Sequence, residues 1–531
     1  MADTKHDAST ASAPVAESSD TVIHYARRGS TGEQTTAKAD DSIEGYDDER
    51  MRARTLLTAE EEKKLMRRID WRLMTLCSVM FLLKNIDADN VSNARIMNKG
   101  TPRNIMTQLG MTSNEYNLVT TLYYVPYIVA EAPSNLLIKR FKPSNWQSRI
   151  MVTWGIATAC HAALTNKQGL LRQVCFLGLS FRCVIGIDQM RCRSGYCSFV
   201  SLLYTLGNLS GVFSGIFAYA FSHLNGAHGL SGWQWLFLVE GILTIAFGAA
   251  LPWILPDFPD TAKWLTEKER AFIQARLPGN APQASEMNFR WREIVASLKD
   301  VRLWLFTLIW AFYTIGTSGV RFYQPTVIAD LGFTDIASAQ LLNLPISLFS
   351  IAVIGVTGAF ADNGKLPRPL YPLSFLGVIL ICYGVLYAYP NKGGVYAATL
   401  IGNGVTSAWF PMMWPWRVQT TSKATGSAFS IGFVNSYGQI GGAISPHLFQ
   451  SKYAPHYGIS FGIAMGFVSA CVLTTLFTWW LTWKTEQDTR KLKVARVKAQ
   501  ERGETVLDDV VDNDLQKLGG GTGSSSSASS A

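Results

Sequence analysis

Residues 303–320 read LWLFTLIWAFYTIGTSGV, and no charged side chain occurs between Arg302 and Arg321. A bilayer core about 30 Å thick is crossed by about 20 helical residues, at a rise of about 1.5 Å per residue. The same pattern recurs in PLYPLSFLGVILICYGVLYAYPN at 369–391 and in GGVYAATLIGNGVTSAWFPMMWPW at 393–416. These windows predict membrane-spanning helices and indicate an all-α membrane protein.

The remaining apolar windows raise the predicted number of spans to about twelve. The second half adds the windows 336–361, 424–451 and 453–483. The first half adds 73–90, 117–138, 150–165, 198–221 and 233–255. A fourth span of the first half should fall near 171–190, but only QVCFLGLSF is uncharged before Arg182. The fourth helix is therefore the irregular member of the set.

Composition supports a membrane-embedded chain. Only 16% of the residues are charged, against roughly 25% in an average soluble domain. The charges crowd into residues 1–72, 257–302 and 484–517, and the basic ones flank apolar spans instead of forming a nucleic-acid patch. The eight cysteines are too few and too irregular for a disulfide scaffold, and Cys175, Cys183, Cys192 and Cys197 lack metal spacing. No cleavable signal peptide, cofactor motif or catalytic constellation is visible. We therefore expect neither an enzyme nor a nucleic-acid partner.

The charge pattern divides the chain into five parts. We predict a disordered cytosolic tail (1–60), a six-helix half (61–256), a cytosolic linker (257–301), a second six-helix half (302–484) and a cytosolic tail (485–531). Basic residues after the second, eighth and tenth spans place both termini in the cytosol, although the first loop is an exception. In the linker, Thr266 and Glu269 have the spacing of a capping box. Two similar halves predict a solute site near the membrane midplane, between them.

Several stretches carry a family resemblance across roughly residues 60–485: RRIDWRLMTL, KNIDADNVSNARIMNKG, YYVPYIVAEAPSNLLIKRFKPSNWQSR, GLSGWQWLFLVEGILT and LPDFPDTAKWLTEKERA. Together they resemble the major facilitator superfamily, and within it the fungal anion:cation symporter family of allantoate, nicotinate and pantothenate permeases. The resemblance implies the major facilitator fold and import of a small organic anion with protons, such as a vitamin carboxylate, a ureide or a small peptide. We expect a monomer in the plasma membrane.

Ionisable residues within spans cost about 2.5 to 3.5 kcal/mol on insertion scales, so each needs a partner, water or a function. In the first span Lys84 and Asp87 share a helix face and can pair. Lys84 is a candidate for attracting a substrate carboxylate, Asp87 for accepting the coupled proton, and Asn90 for binding substrate. A salt bridge at the helix end has equal weight. In the family an Arg follows this Asp, whereas here Ala88 stands in its place.

Two glutamates lie in the second and sixth spans. Glu131, just before Pro133, is a second candidate for proton coupling, although a structural role is somewhat favoured. Glu240 follows an aromatic cluster at the start of the sixth span, and we expect it to anchor that helix end against cytosolic or interfacial positive charge.

In the second half, Arg321 and Gln324 precede Pro325, which frees a backbone carbonyl. A bidentate Arg suits a carboxylate, and an Arg that extends toward lipid headgroups has equal weight. Asn403, Asn435 and Gln439 either bind solute or join helices, and joining is the commoner role. Trp409, Trp414 and Trp416 either shape a cavity rim or form an interfacial belt, and the belt is favoured.

The fourth span departs from the family pattern. It reads FLGLSFRCVIGIDQMRCRSGYCSFV, and the acidic residue expected just after Gly178 is missing. A frame or splice difference, or a degraded copy, explains such a local break better than a new site does. This break keeps an inactive transporter paralogue open beside import, and export of a metabolite or toxin stays open because the fold alone does not fix the direction of transport.

Overall fold

The computed structural model describes residues 23–26, 34–37, 57, 59–137, 143–180, 204–255, 264–276, 291–331, 339–362, 366–419, 424–453, 456–501 and 505–506. These parts of the chain are almost entirely helical. Most of the atypical fourth-span segment lies outside the described residues.

Besides the helical residues 204–208, the first half contains seven helices and two 3₁₀ turns among the described residues. They are α1 (Ala59–Ile96), α2 (Ile105–Gln108), α3 (Ser113–Leu137), α4 (Pro143–Cys160), α5 (Lys167–Ser180), α6 (Ser210–His223), α7 (Gly232–Ile254) and the 3₁₀ turns His161–Ala163 and Ala227–Gly229. Helix α1 begins well before the first apolar window, so its first turns are a polar extension rich in Glu, Lys and Arg.

The linker and the second half follow. The linker holds α8 (Glu267–Arg276) and α9 (Trp291–Leu298). The second half holds α10 (Val301–Asp330), α11 (Leu344–Asp362), α12 (Leu370–Ala388), α13 (Lys392–Gln419), α14 (Ala424–Gly438), α15 (Ile440–Ile444), α16 (Gly458–Glu501) and the 3₁₀ turns Gln340–Asn343, Ser445–Leu448 and Ser451–Tyr453. Helix α16 continues without a break past residue 484, where the sequence predicted the second half to end.

Three short strands lie near the termini, where the composition predicted no regular structure. Strand β1 (Ile23–Ala26) pairs antiparallel with β2 (Gln34–Ala37) and parallel with β3 (Thr505–Val506).

Helix caps explain several of these boundaries. The capping box predicted in the linker is confirmed, because the Thr266 N–H donates to Glu269 Oε2 at 2.9 Å and the Glu269 N–H donates to Thr266 Oγ1 at 3.3 Å. Helix α7 begins with a second capping box formed by Ser231 and Gln234. Asp300 caps α10 by accepting the Arg302 N–H at 2.9 Å.

Within the described residues, helices lie at the positions of the predicted spans, whereas residues 181–203, which include parts of the fourth and fifth spans, lie outside the described residues. Five of the helices are long and apolar enough by themselves to cross a membrane, judged over the described residues: Gly232–Ile254, Val301–Asp330, Gln340–Ala361, Leu370–Ala388 and Gly458–Gln487. Four of these five belong to the second half, where the charge-free windows are longest.

Each half has its own core, and tryptophans fill that of the second half. The interfacial belt predicted for Trp409, Trp414 and Trp416 is wrong, because all three side chains are buried. Trp409 stacks on Tyr313 with ring centroids 3.8 Å apart, and Trp414 meets Trp310 edge-on at 5.5 Å. These tryptophans turn inward because α13 packs against α10, α11 and α12 instead of facing lipid along that side.

The two halves touch mainly at one end of the bundle. We name the end that carries α8 and α9 the linker face, and the opposite end, where α1 stops, the far face. At the far face Lys99 Nζ lies 3.0 Å from Asp330 Oδ1, and Tyr323 donates to Asn117 Oδ1 at 3.0 Å. The Arg95 guanidinium lies 4.3 Å above the Tyr323 ring. The far face is therefore closed by contacts between the halves.

Candidate functional site

A cavity of about 290 Å³ lies between the two halves. The first half lines it with residues of α1, α3, α4, α5 and α7 and with Tyr204 and Asn208, which precede α6, and the second half with residues of α10, α13, α14 and α15. The contacts at the far face cover one end of it. The two-half architecture predicts a solute site between the halves, and the cavity lies there.

An ion pair joins the halves at the wall of this cavity. Arg321 of α10 places a guanidinium nitrogen 3.2 Å from Asp89 Oδ1 of α1, and Ser210 of α6 donates to Asp89 Oδ2 at 2.8 Å. The Arg321 side chain is 52% exposed, against 21% for Asp89, so the guanidinium is the more accessible partner. A guanidinium has five N–H donors, so donors other than the one on Asp89 can face a ligand in the cavity.

Aromatic rings form much of the remaining wall. Tyr123, Tyr124 and Tyr127 contribute from α3, with Tyr123 and Tyr127 stacked at 5.8 Å. Opposite them, Trp310 and Phe410 meet edge-on at 4.4 Å. A cavity with flat apolar walls and a cation at its edge suits a small planar anion.

The helix formed by α14 and α15 is broken where it meets the cavity. Helix α14 ends at Gly438, α15 begins at Ile440, and Gln439 between them has φ −78° and ψ 2°. Gly441 packs directly on the backbone of α10 at Thr314 and Ile315, where a Cβ atom would not fit. An interrupted helix at membrane depth is tolerated where it lines a cavity, and it offers backbone polar groups to a solute.

Most of the residues predicted for substrate binding lie at this cavity. Lys84, Arg321, Asn435 and Gln439 line it, and so does Asp87, which was predicted for proton coupling. The Lys84 ammonium lies 5.3 Å above the Phe81 ring. A binding role for these residues stays a prediction, which their position supports.

Gln324 and Asn403 lie instead at an adjacent, smaller cavity of about 60 Å³. Gln324 donates to Asn343 Oδ1 at 2.8 Å, so its amide already joins two helices. Asp89 and Arg321 line both cavities, and their ion pair therefore stands between them.

Two residues of the first half differ from expectation, and the side chain of a third lies outside the described residues. Glu240 is not interfacial: it is 3% exposed, because it lies two turns inside α7, which begins at Gly232. Asn90 is fully buried and donates to Glu240 Oε2, so its amide faces α7 and not the solute. Glu131 lies in α3, but its side chain is outside the described residues.

The sequence did not predict a site role for Asp89, the aromatic walls or the partnership of Glu240. The spacing along α10 could have indicated part of the aromatic wall, because Trp310, Thr314, Thr317 and Arg321 recur at three- and four-residue intervals and share one face. No such signal relates Asp89 to Arg321, which is 232 positions away. Within the described residues no group of three His, Cys, Asp or Glu side chains could hold a metal ion.

Comparison with known sequences identifies transporter relatives. A profile of the Major Facilitator Superfamily matches residues 193–446. The chain is 27% identical over 454 residues to "MFS-type transporter cnsO" of Penicillium expansum, and the alignment covers 80% of this chain and 84% of that protein. It is 26% identical over 421 residues to "Major facilitator-type transporter hxnP" of Emericella nidulans, covering 75% and 81%.

Solved structures show the same fold. The proton:xylose symporter XylE superposes with a TM-score of 0.58 at 15% identity, covering 78% of this chain and 96% of that one. The human organic anion transporter MFSD10 superposes with a TM-score of 0.56 at 12% identity, covering 76% and 99%. At such low identities the superpositions establish the fold and nothing finer.

Proposed function

Since the chain is a membrane transporter with the major facilitator fold, we propose that it carries a small, planar organic anion together with protons. Carboxylates of the vitamin type are the first candidates, and ureides the second. We place the protein in the plasma membrane as a monomer with both termini in the cytosol, which makes the linker face cytosolic and the far face external.

The strongest support for an anionic solute is the position of Arg321. Its guanidinium is half-exposed at the wall of a cavity between the halves, and its partner Asp89 belongs to the opposite half. A substrate carboxylate can replace Asp89 as the acceptor, because both present the same pair of oxygen atoms to the guanidinium fork. Binding of substrate would then loosen a contact that holds the halves together, which is the coupling that a transporter needs.

Support for a planar solute comes from the walls. Tyr123, Tyr124, Trp310 and Phe410 offer ring faces and edges on both sides of the cavity, and Asn435 and Gln439 offer amides. Ring faces stabilise a flat ligand at a modest cost in side-chain entropy. A ureide would use the amides more and the rings less, so the two substrate classes make different demands on the same cavity.

The test is uptake in a yeast strain that lacks its own permeases. Cells that express the chain receive labelled nicotinate, pantothenate or allantoate at acidic and neutral external pH. We expect nicotinate, the flat anion of the three, to be taken up most rapidly and faster at acidic pH, and we expect Arg321→Gln to abolish this uptake without reducing the amount of protein at the surface. Arg149→Gln, an exposed change at the linker-face end of α4, is the matched control.

Two results would contradict uptake of an organic anion as the function of this chain. Net loss of preloaded substrate, faster than in cells without the chain, would identify an exporter. Transport of no probe in either direction, with normal surface abundance, would favour an inactive paralogue and would turn attention to the atypical fourth span. A transcript read across residues 170–200 then decides whether that segment belongs to the natural product.

A further inference from the structure

Two buried carboxyl groups face each other inside the first half. Asp87 of α1 is 5% exposed and Glu240 of α7 is 3% exposed, and their side chains lie within hydrogen-bonding reach of each other. Gly241 lets α7 approach α4 closely, because it packs on the α4 backbone at Ala159, where a Cβ atom would not fit. Glu240 is therefore held in place by the packing of its own helix.

The carboxyl groups of Asp87 and Glu240 lack one hydrogen-bond donor. Asn90 donates to Glu240 Oε2, which satisfies one carboxyl oxygen. Asp87 Oδ2 and Glu240 Oε1 are buried and have no hydrogen-bond partner among the described residues. An ionised carboxyl group can only accept, so two carboxylates in contact cannot satisfy each other, whereas one added proton lets one of them donate to the other.

Among the described residues, the charged and titratable groups near the pair do not donate a hydrogen bond to Asp87 Oδ2 or to Glu240 Oε1. Arg321 pairs with Asp89, and the Lys84 ammonium lies above Phe81. His161 is buried and places Nδ1 2.9 Å from the Ala157 carbonyl oxygen, the geometry of a donated ring N–H. Tyr123, Tyr124 and Tyr127 face the same cavity from α3, and Glu240 is the one ionisable residue in the sequence of α7.

We propose that Asp87 and Glu240 hold a single proton between them and that this pair is the proton site of the transport cycle. Asp87 lines the central cavity, so the proton enters and leaves through its carboxyl group, while Glu240 lies behind it as the second acceptor. When the proton departs to water, both groups are ionised and repel each other, which favours separation of α1 from α7. The shared proton is inferred from the geometry of the two carboxyl groups, and its role in coupling rests on the proposed function.

The proton can be measured without any substrate. Infrared difference spectra of the purified full-length chain compare the carbonyl stretching band of protonated carboxyl groups in the wild type and in variants. Glu240→Gln and Asp87→Asn should each remove the same band at neutral pH, equivalent to one protonated carboxyl group per chain. Glu115→Gln, an exposed carboxyl at the far face that keeps its capping geometry, should leave the band unchanged.

Either amide variant can replace the shared proton with its own N–H donor, so we expect both to fold, and gel filtration of the purified variants checks this. Loss of the band in Asp87→Asn alone would overturn the proposal, because the proton would then belong to Asp87 without Glu240. A wild type without a protonated carboxyl band at neutral pH would overturn it as well. If one variant does not fold, the other still tests the pair.

Transport measurements separate failure of this inference from failure of the proposed function. In liposomes, Glu240→Gln should lose accumulation of the transported anion against its gradient but keep one-for-one exchange, since exchange needs no net proton movement. Uphill accumulation that survives in Glu240→Gln would show that the pair is not the coupling site. If the wild type moves none of nicotinate, pantothenate and allantoate, the proposed function fails, and the infrared result still decides whether the proton is shared.

Discussion

Arg321 is the residue at which competition between an internal and an external anion is easiest to measure. Its guanidinium lies 3.2 Å from Asp89, and Ser210 supports the same carboxylate at 2.8 Å. Under the proposed function, Asp89 competes with the substrate carboxylate for this guanidinium. The fork geometry of arginine matters here, because a lysine ammonium presents a point charge and cannot bind a carboxylate through two parallel donors.

This competition predicts opposite effects for two substitutions. Asp89→Asn removes the internal anion and should lower the KM for the transported anion about tenfold, whereas Arg321→Lys should raise it by a similar factor, since a charge-assisted hydrogen bond contributes roughly 1.5–3 kcal/mol. Initial uptake rates over a range of substrate concentrations give both values. Lys99→Gln, which breaks an exposed ion pair between the halves at 3.0 Å, is the comparison variant. An unchanged KM in Asp89→Asn would mean that substrate does not share this acceptor site.

At the scale of helices, close packing depends on a few glycines whose neighbours differ. A Cβ at Gly441 would collide with the backbone of α10, whereas one at Gly442 would meet the Tyr124 ring. A Cβ at Gly377 or Gly384 in α12 would meet nothing within 4 Å. Backbone cannot yield as a side chain can, so the same substitution has different consequences at these positions.

Alanine scanning of these glycines should reproduce this order. Gly441→Ala should cost about 1–3 kcal/mol through overpacking, and its melting temperature in detergent should fall clearly below that of the wild type. Gly442→Ala should cost less, because the ring can shift. Gly384→Ala should be neutral or slightly stabilising, since a Gly→Ala change that introduces no strain gains about 0.4–1 kcal/mol. Equal melting temperatures for Gly441→Ala and Gly384→Ala would contradict the packing seen at α10.

The linker is attached to the first half by a small contact between α1 and α8. Leu65 of α1 packs with Leu265, Phe272 and Ile273 in a buried apolar cluster, and Arg68 pairs with Glu269 beside it. Partial burial opposes ionisation of Glu269, but hydrogen bonds from the Thr266 N–H and from Arg68 outweigh it and lower the pKa of this carboxyl. Its contribution is therefore present above the ordinary pKa of a glutamate and is lost as the pH falls through the lowered value.

Apolar burial should dominate this attachment. Phe272 is fully buried, so Phe272→Ala should cost about 3–5 kcal/mol locally, whereas Glu269→Gln removes a surface ion pair of about 0–1 kcal/mol. Limited proteolysis of the linker should be much faster in Phe272→Ala and nearly unchanged in Glu269→Gln at neutral pH. The difference between wild type and Glu269→Gln should disappear on acidification below the range of ordinary glutamates. Faster cleavage in Glu269→Gln than in Phe272→Ala would reverse the ranking.

These elements also show which features a sequence reveals. Length and apolarity are local properties, so the spans and the linker capping box could be predicted from the charge-free windows and from Thr266 and Glu269. The face that a side chain presents depends on the packing of neighbouring helices, and for this reason the expectations for Glu240 and Trp409 failed. Arg321 stood out because a charge in a span needs a partner, but its partner lies in the other half.

At the scale of the whole molecule, the far face is closed and the cavity lies beneath it. Asn117 donates to the Pro446 carbonyl at 3.2 Å and accepts from Tyr323 at 3.0 Å, which joins α3 to two elements of the second half. Beside these contacts, Lys99 and Asp330 bridge the halves at the exposed rim. Transport by alternating access requires that all of these contacts break once per cycle while each half moves largely as a rigid body.

A cross-link between the halves at this rim should therefore stop transport, whereas one within a half should not. In a cysteine-free background, Lys99→Cys with Asp330→Cys joined by a short bismaleimide should abolish uptake and exchange, because the far face can no longer open. The matched control is Glu115→Cys with Lys167→Cys, a pair at the same face that lies entirely within the first half and whose native side chains are 2.9 Å apart. Both pairs carry the same reagent at similar exposure, so chemical damage would affect them equally. Full transport by the cross-linked Lys99→Cys and Asp330→Cys protein would mean that the halves do not separate at this face.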